Sequence, residues 1–231
     1  MIFARAFNYA FDDRQWTEKL IITAIMSLVA AIPVFGLVAL AGLMGWVVEL
    51  VANMRGGSNN PMPRWDNLGE KIALGANVLT AWVVYNLPNL LLLCCGLSIP
   101  LLGDAGRSEF FAGSFAVALV CCLVPLLLVY NLAIWPMLAI GTIRYSEARQ
   151  IGVFFQFGDL WKTINEQTGV VVQWLAFSLL ANFLIGLLAA IPCIGWAASL
   201  VLSVPVQAHL LGQFAQQLRE TRKSKPKRYS V

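Results

Sequence analysis

The sequence predicts an all-α integral membrane protein with six transmembrane helices and no separate soluble domain. Three observations carry that reading. Of the 231 residues, 59% are hydrophobic and only 12% charged, against roughly 25% charged in an ordinary soluble domain. Apolar stretches with almost no charge recur at the roughly 20-residue length a bilayer demands of a helix that bonds all its backbone groups internally. Finally, Ala30-Ala31-Ile32-Pro33-Val34-Phe35-Gly36 recurs as Ala189-Ala190-Ile191-Pro192-Cys193-Ile194-Gly195, each copy in the middle of such a stretch. Alternating apolar and polar strands of about ten residues, which an outer-membrane barrel needs, are not seen.

Residues 1–16 open the chain with Phe3, Phe7 and Phe11 at a spacing of four. That puts three rings on one face of an interfacial helix. Spans one and two follow at about 17–32 and 35–54. Pro33 cannot continue the helical ladder and Gly36 lets the chain reverse, so the pair reads as a tight hairpin. The first span is expected to be a retained anchor, because Asp12, Asp13 and Glu18 precede or open it and no small-residue cleavage site follows. Residues 55–64 form a polar loop with Gly56-Gly57, Asn59-Asn60 and two prolines, where the chain leaves the bilayer. Span three, about 68–97, contains Pro88. Span four, about 110–143, is longer than a bilayer requires and contains Pro125 and Pro136, so tilt or a kink is expected. A polar and aromatic segment, 144–167, leads to spans five and six at about 169–191 and 195–218. Residues 219–231 are a basic tail.

Charge placement orients these spans. Lysine and arginine fall three before span one, three between spans two and three, three between four and five, and six after span six. Only Arg107 lies on the other side. The positive-inside rule therefore puts both termini in the cytoplasm and the protein in the cell's inner (cytoplasmic) membrane. Both hairpins then enter from the same side, which makes them a parallel repeat at an offset of 159 residues about an axis along the membrane normal. Neither turn carries charge, so a first hairpin that dips in and returns would give the same count as two full spans.

Basic residues in these places are topology signals, and no nucleic acid is implied. The five cysteines, Cys94, Cys95, Cys121, Cys122 and Cys193, have no metal spacing and read as small apolar packing residues, with a disulfide between the two pairs as the alternative. No metal site, cofactor site or catalytic residue is expected, since no nucleophile elbow, phosphate loop or paired acidic constellation occurs.

The run Pro63-Arg64-Trp65-Asp66-Asn67-Leu68-Gly69-Glu70, followed by Gly75 and preceded by Gly45-Trp46, resembles the signature of a prokaryotic multi-pass membrane family catalogued as domain of unknown function 4013. Met62 and Asn67 depart mildly from its pattern. The resemblance implies a membrane location and no chemistry. On physical grounds Trp65 is expected at the headgroup level, with Asp66 capping span three. Phe11-Asp12-Asp13 with Trp16, and Phe157-Gly158-Asp159 with Trp161, are similar openings. Trp16, Trp65, Asp66 and Trp161 are thus candidate interfacial anchors, and a docking surface of Pro63 and Trp65 is the alternative.

Four residues are candidates for a solute site or polar network. Glu49 in span two and His209 in span six are ionisable groups at membrane depth, nearly equivalent under the repeat, and could meet as a pair. Asn86 and Asn131 occur in the matching runs Val84-Tyr85-Asn86-Leu87 and Val129-Tyr130-Asn131-Leu132. They could lie level in an antiparallel pair beside helices broken at Pro88 and Pro136, or simply hold the two helices together. Small residues at helix-packing distance, as in Ala41-x-x-x-Gly45, Ser199-x-x-x-Ser203 and Ala208-x-x-x-Gly212, allow close approach within the chain, in a homo-oligomer or to a membrane protein partner. The leading functional expectation is a non-enzymatic accessory, assembly or scaffold subunit in the lipid bilayer. A small-solute transporter or channel using Glu49, Asn86, Asn131 and His209 is the alternative.

Overall fold

The computed structural model describes residues 1–32, 35–58, 60–103, 109–192 and 194–224, with side chains described for these except 93–103, 109–120, 122, 194 and 222–224. Among the described residues the chain is all-α. Its helices are α1 (Arg5–Asn8), α2 (Trp16–Val29), α3 (Phe35–Gly56), α4 (Leu68–Gly103), α5 (Glu109–Ala148), α6 (Phe157–Glu166), α7 (Thr168–Ala189) and α8 (Ile194–Ser224), with 3₁₀ turns at Tyr9–Asp12 and Ile151–Phe155. Four apolar segments among the described residues are long enough to cross a membrane: Phe35–Gly56, Leu123–Ala148, Thr168–Ala189 and Gly195–Thr221. Helix α2 has 14 residues, about 21 Å, which is short of the roughly 30 Å hydrocarbon thickness. Helix α4 with 36 residues and α5 with 40 reach about 54 and 60 Å, well beyond it.

Helix α3 is the centre of the bundle, packed by α2, α4, α5 and α8. An all-round apolar helix is a buried one, and α3 hides Trp46, Val48, Leu50 and Val51 completely, residues that point in different directions around its axis. Close approach to α4 depends on two glycines. A Cβ on Gly45 would sit 1.9 Å from the Lys71 carbonyl oxygen, and one on Gly75 would sit 1.6 Å from that of Ala41. The small-residue face Ala41-x-x-x-Gly45 is thus used inside the chain. So is Gly212, which lies against Met54 of α3. Ser199 and Ser203 donate to the Trp196 and Leu200 carbonyls of their own helix.

Both Ala-Ala-Ile-Pro turns close with matching hydrogen bonds. In the first, the N–H groups of Ala31, Ile32 and Gly36 reach the carbonyls of Leu28, Val29 and Ile32; in the second, those of Ala190, Ile191 and Gly195 reach Leu187, Leu188 and Ile191. Pro33, Val34 and Cys193 of these motifs fall outside the described residues, as do Arg107 and the tail from 225. Of the five cysteines, Cys121 is a free, exposed thiol.

Two expectations are corrected. The N-terminal segment is not one helix with three rings on a face: a single α-turn tightens into a 3₁₀ turn, which rotates Phe11 away from the other two. Phe3 packs on Phe7 and Phe177, both at 5.5 Å between ring centres, while Phe11 is exposed against Trp16. Nor is α4 broken at Pro88 or α5 at Pro136, since each helix runs unbroken through its proline. The 144–167 segment completes α5 and then folds into the 3₁₀ turn and α6, in which Leu160 is buried and Trp161 exposed.

One end of the bundle collects the basic residues. Arg55 at the end of α3 pairs with Glu147 at the end of α5, Arg219 of α8 donates to the Arg55 carbonyl at 2.7 Å, and Arg144 donates to Thr163 Oγ1 of α6 at 2.8 Å.

Candidate functional site

The residues of the Pro-x-Trp-Asp signature form a clasp that joins α2, α3 and the loop before α4. Trp46 is fully buried, and its indole N–H donates to the Pro63 carbonyl at 3.1 Å. Trp65 stacks parallel on Trp46, 6.1 Å between ring centres. Its own N–H is shared between Thr23 Oγ1 at 3.1 Å and the Lys19 carbonyl at 3.2 Å, both on α2. Trp65 is therefore turned into the protein, which corrects the expectation of a headgroup anchor. Its indole N–H, once half-buried, needs an acceptor, and α2 supplies one. Pro63 is likewise buried, so the two do not make an open docking surface. Trp16 and Trp161, by contrast, are exposed at 37% and 49%.

Two ion pairs seal the clasp. Lys19 Nζ donates to Asp13 Oδ2 at 2.5 Å and to the Met62 carbonyl at 2.8 Å, with both charged side chains buried. Burial alone would raise the Asp13 pKa, but the Lys19 hydrogen bond, the Gln15 N–H and the charges of Lys19 and Arg64 outweigh it and hold the carboxyl below its usual range. Lys71 pairs with Glu49, its side chain only 4% exposed. Asp66 is 3.8 Å from the same ammonium. It lends charge near the start of α4, while the carbonyl of Asn67, at φ 52°, receives the N–H groups of Glu70 and Lys71.

Glu49 and His209 do not meet. His209 is buried under the N-terminal segment, its ring stacked on Tyr9 at 4.0 Å. Its Nδ1 is 3.1 Å from Gln213 Nε2. That glutamine also ties down the chain start: Ile2 N–H donates to Gln213 Oε1 at 2.7 Å, and Gln213 Nε2 donates to the Ile2 carbonyl at 3.0 Å. Tyr9 donates to the Pro205 carbonyl at 3.1 Å, and burial pushes its phenol pKa up. Beside this cluster lies a cavity of about 320 Å³ that His209 and Gln213 line, with Arg5, Asp12 and Glu220 among its charged lining residues.

Asn86 and Asn131 are brought together only through Asn89. Asn89 and Asn131 exchange two amide hydrogen bonds, at 3.0 and 3.1 Å, and Asn89 Nδ2 also donates to Asn86 Oδ1 at 3.0 Å. Asn86 spends its own N–H on the Trp82 carbonyl. The register of the pair is thus three residues from the level alignment expected of Asn86 and Asn131. Tyr130 O–H donates to the Tyr85 carbonyl at 2.9 Å, so the two Tyr-Asn runs do face each other. A reciprocated amide pair, half-buried at Asn89 and exposed at Asn131, holds α4 to α5, the adhesive role open to asparagines between membrane helices.

The partners of Glu49 and His209 went unseen in the sequence, and so did the Lys19–Asp13 pair. One signal was present: Lys19 and Lys71 each lie within the first turn of an apolar run, where a lysine demands a counter-ion. Among the described residues no group of three or more His, Cys, Asp or Glu gathers as a metal site would require. A family model described as Protein of unknown function (DUF4013) matches residues 19–194. No curated protein and no solved structure matches the chain.

Proposed function

We propose, from the premise that the chain belongs to the DUF4013 family, that it is a non-enzymatic accessory, assembly or scaffold subunit of a membrane complex. The observation that carries this reading is the α4–α5 hairpin. Its helices are far longer than the hydrocarbon layer, are tied to each other by Asn89, Asn131 and Tyr130, and expose Leu87, Leu91, Leu126, Leu128 and Val129. A stiff apolar arm of this kind suits contact with the helices of another subunit. Purification in a mild, non-denaturing detergent tests it. A stoichiometric membrane protein partner or a homo-oligomer is expected, and a solitary monomer in both detergent and nanodiscs would overturn the reading.

The proposed topology has six spans, namely α2, α3, α4, α5, α7 and α8, in the inner membrane with both termini cytoplasmic and the two Ala-Ala-Ile-Pro hairpins as a parallel repeat. Its support is the clustering of Arg55, Arg144 and Arg219 at one end of the bundle and the matching hydrogen bonds of the two turns. Membrane-impermeant thiol reagents applied from outside should label Val34→Cys and native Cys193. Protection of Val34→Cys with labelling of Cys193 would make the short α2 part of a re-entrant hairpin.

The transporter alternative keeps one observation in its favour, the polar cavity beside His209. Glu49, Asn86 and Asn131 do not line that cavity, so its solute would be held by His209, Gln213 and the charged groups of the N-terminal segment. Solute flux in proteoliposomes that is unchanged by His209→Phe would remove it.

A further inference from the structure

The cavity beside His209 is polar and carries charges of both signs, and we infer that it binds a small zwitterion, a molecule with an amine and a carboxylate or phosphate, whose anionic end accepts the Nε2–H of His209. Binding alone is meant, with or without transport, so the site stands whichever of the two readings of function holds.

The tautomer of His209 is fixed by a chain of hydrogen bonds that begins at the backbone. Ile2 N–H donates to Gln213 Oε1 at 2.7 Å, so the other end of that amide is the nitrogen, and it donates to the Ile2 carbonyl at 3.0 Å. The second amide hydrogen is left for His209 Nδ1, at 3.1 Å. Nδ1 is therefore the acceptor, and the hydrogen of the neutral ring is on Nε2. Tyr9 covers one face of the ring at 4.0 Å. What the ring turns to the cavity is Nε2–H, a donor with no partner among the described residues, on a histidine only 3% exposed. Unlike Gln217 Oε1 on the same wall, which protein atoms enclose, it is open to the cavity. A donor fixed in place in this way favours a ligand that brings an oxygen, because its orientation has no entropy left to lose.

The exposed side of the cavity decides the ligand's charge. Arg5, Asp12 and Glu220 line it, and none of the three joins an ion pair among the described residues. The Arg5 charge acts on the His209 ring, so an anionic group placed there meets a guanidinium and an N–H together. Asp12 and Glu220 repel a simple anion and attract a cation. A molecule with both charges satisfies all of these groups, whereas a lone anion or a lone amine leaves one sign opposed. The volume of about 320 Å³, at roughly 30 Å³ for each group the size of a water molecule, limits the ligand to about ten non-hydrogen atoms. That excludes a whole phospholipid and admits an amino acid or an aminoalkyl phosphate, free or as a lipid headgroup.

His209 is the single histidine of the chain, so histidine labelled with heavy nitrogen gives ring signals in NMR that belong to this site alone. The full chain in a nonionic detergent free of phospholipid is titrated with phosphoethanolamine and with β-alanine, and separately with acetate, inorganic phosphate and ethylamine. At neutral pH the ring should show the Nε2–H tautomer. Either zwitterion should shift the Nε2 signal and saturate below about 10 mM, and the single-charge probes should bind roughly tenfold or more weakly, the loss of one charge-assisted hydrogen bond. Arg5→Gln and Glu220→Gln, both at exposed positions, should each weaken the zwitterions by a similar factor, while Glu70→Gln, exposed and outside the cavity, should not. A retained Nε2–H signal shows that each variant keeps the N-terminal segment docked. In vesicles, a shift produced by phosphatidylethanolamine with no solute added, and absent with phosphatidylglycerol, assigns the group to a lipid headgroup; a shift that needs the soluble probe assigns it to a free solute. Binding without flux in proteoliposomes removes the transporter reading and leaves the site standing. A ring with its hydrogen on Nδ1, no shift with either zwitterion, acetate or ethylamine binding as tightly as the zwitterions, or binding that survives both charge variants would overturn the inference.

Discussion

Gly75→Ala is the sharpest test of the fold, because a neighbouring glycine in the same motif should respond with the opposite sign. The added methyl would sit 1.6 Å from the Ala41 carbonyl oxygen and 2.6 Å from the Gly45 nitrogen. Both obstacles are backbone, so no side chain can swing aside. Restoring ordinary contact at about 3.5 Å requires α3 and α4 to part by roughly 2 Å, and a gap half that wide already forfeits up to half of the dispersion attraction along the seam. Overpacking of this kind costs about 1–3 kcal/mol and sometimes more, and the better helix propensity of alanine returns at most about 1. A net loss of about 2 kcal/mol is expected, which is roughly 4–8 °C in Tm for a chain of this size. Gly69 has nothing within 4 Å, so Gly69→Ala should leave Tm unchanged or raise it slightly. Thermal unfolding in detergent, followed by intrinsic tryptophan fluorescence, measures both. If the two variants shift Tm alike, the close crossing at Gly45 and Gly75 does not exist.

Other outcomes follow from the polar contacts. Asp13→Asn strands the buried Lys19 ammonium with only the Met62 carbonyl and should cost about 3 kcal/mol, whereas Asp13→Leu with Lys19→Met should recover most of it; urea titrations in detergent compare them. Because the native Asp13 pKa is lowered, the stability it contributes is complete above the ordinary carboxylate value of about 3.9 and is lost as pH falls through the lower native value. A Tm scan downward from pH 6 should therefore show an acid limb that Asp13→Asn lacks. Asn89→Leu with Asn131→Leu should cost no more than about 1 kcal/mol if the pair only joins two helices, and a far larger loss would point to a further role. Tyr9→Phe keeps the stack on His209 but removes the bond to Pro205, so about 1 kcal/mol should be lost, read as an earlier protease cut in the first 15 residues.

The helices were legible in the sequence because bilayer length and charge exclusion leave few alternatives: α3, α5, α7 and α8 each begin or end within a few residues of the apolar runs. The small-residue spacings also pointed correctly at close packing, though only the structure assigns Gly45 to α4 and Gly212 to α3. Side-chain partners were much less legible. Trp65 beside Asp66 at a span start has the pattern of a headgroup anchor, but its acceptor is on α2, over forty residues earlier, and nothing local reveals that. Comparing Glu49 with His209 assumed that near-equivalent positions of a repeat face the same space. In the structure the two residues look toward different neighbours, Glu49 toward Lys71 of α4 and His209 toward Tyr9 of the N-terminal segment. Asn86 and Asn131 were placed on adjoining helices as found, and the three-residue slip to Asn89 came from a register that depth counting cannot resolve.

The double bond between Ile2 and Gln213 spans 211 positions of sequence, and that distance is also an interval of time. At about 5–20 residues per second of synthesis, the first residues wait roughly 10 to 40 s before the helix that receives them has been made. For most of that period the Phe3 and Phe7 rings have no Phe177 or α8 to rest on, and the segment waits without its partner. Its docking is then the last step of assembly and reports that α8 is in place. Ribosome-bound chains arrested before Gln213 should be cut by added protease within the first 15 residues, and chains released beyond it should resist.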